Sequence, residues 1–401
     1  MSFEIKLKQV QSDLVMQDIQ GWLVYDYRRS NSLAYTFLEI PSDKMVTRRF
    51  FYWIPQQGEP IKIVPLIEPY TLDHLPGKKW IYKGWQELEE WVFSIAGKNK
   101  KIAMEYSPNN ALPNVSKVDA GTIDFLRKTG AEIVSSANLL QRYTSVWSSE
   151  QFNSHLIAAR VLEDTVEKTW AFIERSLYKK KFLDEYKVQQ FMLNLIHEAG
   201  CQTNDWPTCA VNAHSADPHY HPTLETALPI CVGDFILLDL WCKQKIPHAV
   251  YADITRVGVA GSPTQKHRDI FNIVKGARDS ATMMVKEYYE NQRPIEGWQV
   301  DQTCRDFIQE AGFGDYFIHR TGHNIGEEVH GPGANLDNLE THDYRQLLPG
   351  TAFSIEPGIY LPQEFGVRLE YDIYLDLNGK MHITGGIQEE LVVLKTCNLK
   401  V

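Results

Sequence analysis

The chain has 401 residues, 43% of them hydrophobic and 23% charged, an ordinary globular balance at a length that leads us to expect two domains with separate cores. The formal net charge is −10, and no lysine- or arginine-rich stripe interrupts it, so the electrostatic footprint of a nucleic-acid partner is lacking. No apolar window reaches bilayer length, residues 1–20 carry no cleavable apolar core, and the six cysteines (Cys201, Cys209, Cys231, Cys242, Cys304, Cys397) contain no Cys-x-x-Cys pair; the expectation is a cytoplasmic protein with reduced thiols and no membrane partner.

Along the chain, the pattern predicts a helix over 3–18, a strand over 21–27, a long aromatic-rich region, a strand over 101–106, a helix over 119–128 and a strand over 131–135. That is a separate α/β domain, read as residues 1–145. A boundary falls near 142–149, where Ser148 or Ser149 can cap a long helix over about 150–176 that opens a second domain, residues 146–401. Cys209, Cys231 and Cys242 in the second domain are read as small core residues rather than soft metal ligands.

The second domain contains a repeat. Residues 188–200 and 300–312 align without gaps and share Val188/Val300, Gln190/Gln302, Ile196/Ile308, Glu198/Glu310, Ala199/Ala311 and Gly200/Gly312. Each block reads as an amphipathic helix ended by a glycine that supplies a left-handed residue. Each is followed by a histidine-bearing segment and two strands carrying acids. Asp239 and Asp253 lie fourteen residues apart, as do Glu356 and Glu370, and Gly233 and Gly350 each stand six residues before the first acid of their pair.

The first acid pair sits on a predicted hairpin: an apolar strand ending near Asp239, a turn at 243–247, and a strand over 249–255 whose Tyr251, Asp253 and Thr255 share a face. This places the two aspartates side by side. In the second half, 353–356 should lie beside a strand over 366–372, on which Arg368, Glu370 and Asp372 point one way. Four converging carboxylates repel one another, and two divalent cations would cancel that charge while activating a water and polarising a scissile carbonyl. A carboxylate-rich set with one imidazole suits manganese, iron, cobalt or zinc. The imidazole is sought in the histidine-rich stretch 319–332, where Gly322 and the missing His-Glu-x-x-His string argue for strand and loop rather than a zinc-protease helix.

Taken together, Asp239, Asp253 within Asp-Ile-Thr-Arg, Thr-Gly-His323 with His330, Glu356 within Glu-Pro-Gly-Ile-Tyr and Gly-Val-Arg-Leu-Glu370 resemble the pita-bread metallopeptidases, the family of Xaa-Pro aminopeptidase, prolidase, methionine aminopeptidase and the metal-free creatinase. The resemblance implies an α+β architecture: a carboxy-terminal domain with a pseudo-twofold repeat and a curved, mainly antiparallel sheet, plus a smaller creatinase-like α/β amino-terminal domain. It implies that Asp239 chelates one metal, that Asp253 and Glu370 bridge two divalent ions, manganese first among them, and that His323 and Glu356 bind the other while Glu356 steers the attacking water. It assigns His219 and His330 to the scissile region and the tetrahedral intermediate, and His319 and Arg368 to a proline subsite, where the guanidinium can grip a terminal carboxylate or else pair with Asp372. His214 and His221 are read as loop histidines satisfied by backbone. The activity implied is removal of the first residue from peptides with proline second, by a homodimer. A dipeptidase (prolidase) and a non-peptidase C–N hydrolase or lyase of the same fold remain alternatives. Three departures from the family pattern, the 243–247 loop, Gly331 after His330 and Tyr371 after Glu370, border the site without removing a ligand.

Overall fold

The structure, a computed structural model, describes residues 3–41 and 43–396, so Cys397 lies outside the described residues. It divides into two compact units, Met1–Thr144 and Ser145–Val401. No helix among the described residues is long and apolar enough to cross a membrane.

The first unit contains α1 (Phe3–Met16), β1 (Gly21–Asp26), α2 (Ser32–Leu38), β2 (Phe50–Pro55), β3 (Ile61–Pro65), β4 (Lys78–Tyr82), α3 (Trp85–Ile95), β5 (Lys101–Met104), α4 (Ala120–Arg127), β6 (Glu132–Ser135) and α5 (Ala137–Thr144). Its sheet runs β4-β3-β2-β1-β5-β6. The pairings of β2 with β1 and β3 are antiparallel, and the other three are parallel. Every residue of β1 is buried because the sheet is covered on both faces. Trp22 and Val24 enter a core with Leu14 of α1 and Phe37 of α2, whereas Leu23 and Tyr25 face Leu88 and Val92 of α3 and Leu126 of α4. The aromatic-rich region that sequence leaves unassigned supplies β2, whose Phe50, Tyr52 and Ile54 join the first core while Phe51 and Trp53 join the second.

The second unit is built as two similar halves. The first half holds α6 (Ser149–Tyr178), α7 (Glu185–Glu198), β7 (Cys201–Gln202), β8 (Thr208–Val211), β9 (Phe235–Gln244) and β10 (Ala252–Ala260). The second holds α8 (Gln265–Glu290), α9 (Gly297–Glu310), β11 (Asn324–Ile325), β12 (Ala352–Ile355), β13 (Gly358–Leu361), β14 (Phe365–Arg368), β15 (Tyr371–Leu375), β16 (Met381–Thr384) and β17 (Val392–Leu394). Reciprocal side-chain caps start both long helices, Ser148 with Gln151 on α6 and Thr264 with His267 on α8.

The repeat is physical as well as sequential. Helix α7 buries Val188, Met192 and Ile196, and α9 buries Val300, Cys304 and Ile308 at the corresponding positions, an i, i+4, i+8 stripe that turns one face to the sheet. Burying each aliphatic chain contributes roughly 1.5–3 kcal/mol. Both helices end as expected, with Gly200 at φ +75° and Gly312 at φ +85°, where a side chain would be strained. Cys209 and Cys242 are buried in the α6–α7 core and Cys231 is exposed.

Three details differ from the sequence expectation. The β9–β10 ladder pairs Thr255 with Asp239 and Asp253 with Trp241, so the aspartates share a face as diagonal neighbours rather than directly opposed residues. The β9 strand also runs through Gln244, because Lys243 and Gln244 pair with β7, so the connection to β10 begins at Lys245 and turns at Pro247 and His248. In the second half, the expected strand over 366–372 is two strands: β14 pairs with β13, β15 pairs with β12, and Leu369 and Glu370 lie at the break.

Candidate metal centre

The carboxyl-bearing residues meet where the two halves abut. Asp239 and Asp253 stand on β9 and β10, while Glu356 and Glu370 flank the last β12–β15 pair, Ile355 with Tyr371. The join is made by Asp372, whose Oδ2 accepts from the Asp253 backbone N–H at 2.9 Å. Its other oxygen is buried without a partner. Burial holds the Asp372 carboxyl well above its ordinary range.

His323 completes the cluster from the loop preceding β11. Its backbone N–H donates to Ser354 Oγ at 3.0 Å and its carbonyl accepts from Ser354 N at 2.9 Å. The close approach needs Gly322, at which a Cβ would lie 2.0 Å from the Ser354 carbonyl oxygen. The His323 Nδ1 faces the Asn324 carbonyl at 3.3 Å, so Nδ1 carries the proton and Nε2 presents a lone pair. That lone pair looks at Glu356 Oε1 at 3.3 Å and Asp253 Oδ2 at 3.7 Å.

Burial pushes the imidazole down to about 3, so no ring proton answers these oxygens at neutral pH. Ligand atoms of Asp253, His323 and Glu370 lie within 4.8 Å of one another, and Asp253 Oδ1 and Glu370 Oε1 are buried with no hydrogen-bond partner. Burial first, then mutual repulsion, raises Asp253 and Glu370 well above the carboxyl range. A set of buried lone pairs that converge without donors between them is stable only with protons or cations in the middle. The residues fit divalent ions.

Beside the cluster runs a chain of directed hydrogen bonds. His319 Nδ1 donates to the Arg320 carbonyl at 2.7 Å, which leaves Nε2 to accept from Tyr360 OH at 2.7 Å. Tyr360 OH in turn accepts from Arg368 Nη1 at 3.1 Å, and Arg368 Nη2 donates to Asp239 Oδ2. Arg368 Nε donates to Thr255 Oγ1 at 3.0 Å, and that hydroxyl lies 2.6 Å from Glu370 Oε2 and 3.2 Å from Asp239 Oδ1. Burial lowers His319 to about 4, which keeps it in the single neutral tautomer this chain requires. The sequence alternative of an Arg368–Asp372 pair is therefore corrected: Arg368 pairs with Asp239.

The cluster opens into a cavity of about 350 Å³ whose lining includes His219, His221, His319, His323, His330 and Arg368. The His330 ring stands edge-on to His323 with centroids 4.3 Å apart. His219 is solvent-exposed and fixed through its backbone, which donates to Asp217 Oδ1 at 2.9 Å. Backbone does not satisfy the other two loop histidines as expected: His214 Nδ1 sits 3.0 Å from both Glu185 oxygens, and His221 Nδ1 lies 3.3 Å from the Thr208 hydroxyl.

Two anchoring acids escaped the sequence reading. Glu185, fully buried on α7, accepts from Val211 N at 2.7 Å, Leu228 N at 2.7 Å and Tyr220 OH at 2.6 Å, and so ties down the loop that carries His219. Asp301, fully buried on α9, accepts from Thr321 N at 2.8 Å, Thr321 Oγ1 at 2.6 Å and Asn338 N at 2.7 Å, two residues before His323. Nothing in spacing marks them, because Glu185 falls one turn earlier on its helix than Asp301 does on the other. Tyr360 was visible inside the Glu-Pro-Gly-Ile-Tyr string, but its bridging role was not.

A family model for metallopeptidase family M24 matches residues 153–376, a span that contains all five clustered side chains. The chain belongs to metallopeptidase family M24. Membership makes it a metal-dependent hydrolase of peptides, and the likeness to solved structures carries its α+β pita-bread fold. A dipeptidase, PepE, from Mycobacterium ulcerans superposes with a TM-score of 0.68 at 22% identity, covering 98% of both chains. A prolidase from Thermococcus sibiricus superposes with a TM-score of 0.63 at 23% identity over 98% of this chain and all of that one. In sequence, an uncharacterized peptidase of Staphylococcus epidermidis is 27% identical over 333 residues, 83% of this chain and 86% of its own. The Xaa-Pro dipeptidase of Pyrococcus furiosus is 35% identical over 152 residues, 38% of this chain and 40% of its own.

Proposed function

We propose that this M24 peptidase is an exopeptidase that cleaves the bond between an amino-terminal residue and a following proline, using two divalent ions held by Asp239, Asp253, His323, Glu356 and Glu370. The observation that carries the reading is the convergence of Asp253, His323 and Glu370, whose ligand atoms lie within 4.8 Å of one another, while Asp253 Oδ1 and Glu370 Oε1 are buried without a hydrogen-bond partner. Divalent ions bound there would supply a water nucleophile of low pKa and polarise the scissile carbonyl. Manganese is the first candidate, with zinc, cobalt and iron next.

The chain's own residues do the rest. Glu356, steadied by the Ser354 hydroxyl at 3.0 Å, orients the attacking water and takes its proton. His330 and His219 border the cavity as hydrogen-bond donors, His330 to the oxyanion and His219 to the scissile region. The directed chain from Arg320 through His319 and Tyr360 to Arg368 forms the wall of the proline subsite. Its single tautomer keeps that wall rigid.

Arg368 supports a second reading. Were Asp239 engaged by cations, the Arg368 Nη2 would be free to donate to a terminal carboxylate, which would suit an Xaa-Pro dipeptidase, the activity named for the Pyrococcus furiosus relative. Turnover of Ala-Pro, Ala-Pro-Ala and creatine with added manganese separates these cases. Hydrolysis of Ala-Pro-Ala supports the aminopeptidase, hydrolysis of Ala-Pro alone the dipeptidase, and turnover of creatine with neither peptide refutes both. We also propose a homodimer acting in the cytoplasm, for which sedimentation of the purified protein and localisation of a tagged copy are the tests.

A further inference from the structure

A second cavity, of about 480 Å³, adjoins the first and shares Asp205 and His221 with it. Its other lining residues include Tyr186, Trp206, Leu224 and Glu225. Its position follows from the strand register. Thr208 pairs with Asp239 in an antiparallel ladder, so the chain just before it, Trp206 and Asp205, continues alongside β9 toward Trp241, the residue opposite Asp253. The second cavity therefore flanks the carboxyl cluster at its Asp253 end. The His319–Tyr360–Arg368 chain flanks it at the Asp239 end. Because the two cavities share Asp205 and His221, a peptide whose proline lay against that chain could extend its first residue toward the second cavity.

The chemistry of the cavity is one-sided. Trp206 is 51% exposed and Leu224 is 74% exposed, which gives the cavity apolar surface and an indole open to a ligand. The charged residues lining it are Asp205 and Glu225, and no lysine or arginine is among them. Asn204, also in the lining, is held by donating to Glu328 Oε2 at 3.2 Å. An apolar stem ending in a cation matches such a space, since the indole takes the methylenes and the positive head while the acids supply the counter-charge.

Resting on the exopeptidase reading above, we propose that this cavity is the side-chain subsite for the first residue of the peptide, and that Asp205, Trp206 and Glu225 select lysine or arginine there. The test is kcat/KM of the metal-loaded enzyme on Lys-Pro-Ala, Arg-Pro-Ala, Ala-Pro-Ala, Glu-Pro-Ala and Ala-Pro-Lys, with the matching Xaa-Pro dipeptides in parallel. The expected result is a preference of about tenfold or more for Lys and Arg over Glu in the first position, narrowing as salt is added. In an Asp205→Asn/Glu225→Gln double variant the Lys-to-Glu ratio should fall several-fold, and in Trp206→Ala the Lys-to-Ala ratio should fall. Each ratio is taken within one preparation, so the fraction folded cancels. Equal turnover across the first-position series, a preference for Glu, or a gain confined to Ala-Pro-Lys overturns the subsite while leaving the exopeptidase standing. No turnover of any proline peptide overturns both.

Discussion

Replacing Glu185 with glutamine tests whether one buried acid holds the histidine loop in place. The two side chains have nearly the same shape, so packing is kept and only hydrogen bonding changes. Both oxygens of Glu185 already face obligate donors: Oε1 meets the Val211 N–H and Oε2 meets the Leu228 N–H, with Tyr220 OH on Oε2 and the His214 ring against both. An amide must aim its NH2 at one of those N–H groups, so at least one backbone donor loses its partner and meets another donor instead. A buried donor left unsatisfied costs about 1–3 kcal/mol, and loss of the bond itself adds to this, so a destabilisation of roughly 2–4 kcal/mol is expected. At about 2–4 °C per kcal/mol for a unit of this size, the melting temperature should drop by several degrees. Glu185 is itself outside the cavity lining, while Pro218, His219 and His221 on the tethered loop are within it. Activity should therefore fall through kcat more than KM, because the loop that carries His219 loses its tether. Paired melting curves and steady-state kinetics on an Xaa-Pro substrate decide it. A melting temperature within one degree of wild type together with unchanged kcat would show that the loop does not depend on Glu185.

The remaining expectations concern charge. Burial and mutual repulsion raise the Asp253 and Glu370 carboxyls in the metal-free fold, so the folded state keeps protons that the unfolded chain releases. Stability from these groups is complete below the ordinary carboxyl pKa of about 4 and is lost as pH rises through their raised folded values. Adding manganese should therefore raise the melting temperature more at pH 8 than at pH 5, and an equal rise at both contradicts the assignment. Arg368→Ala should raise KM for Xaa-Pro dipeptides by roughly tenfold or more, the value of a charged hydrogen bond of about 1.5–3 kcal/mol, with a smaller effect on longer peptides. An unchanged dipeptide KM removes Arg368 from carboxylate recognition.

Much of this site is legible in the chain because its chemistry is duplicated. The fourteen-residue spacing of Asp239 with Asp253 and of Glu356 with Glu370, together with the helix repeat ending at Gly200 and Gly312, reflects paired halves whose helices bury the same stripe of positions. What sequence does not carry is anything set by register or by contacts between the halves. The diagonal placement of the aspartates depends on where the β9–β10 ladder begins, and the break at Leu369 and Glu370 depends on β14 and β15 choosing different partners. The Arg368–Asp239 contact joins residues 129 apart, and no local pattern selects Asp239 over Asp372. Glu185 and Asp301 stayed hidden because a single acid on an amphipathic helix reads as a solvated one until its partners are known. Trp206 was passed over for a similar reason, being an aromatic in a loop whose neighbour becomes apparent only once β8 is paired with β9.

The most direct measurement of the central claim is metal stoichiometry in wild type, Asp253→Asn and His323→Ala, by equilibrium dialysis and elemental analysis alongside activity on the same samples. The account predicts two divalent ions per wild-type chain, fewer in each variant, and loss of hydrolysis in both while circular dichroism shows the fold retained. Stoichiometric metal persisting in both variants, or full turnover by wild-type protein stripped of metal, would contradict it.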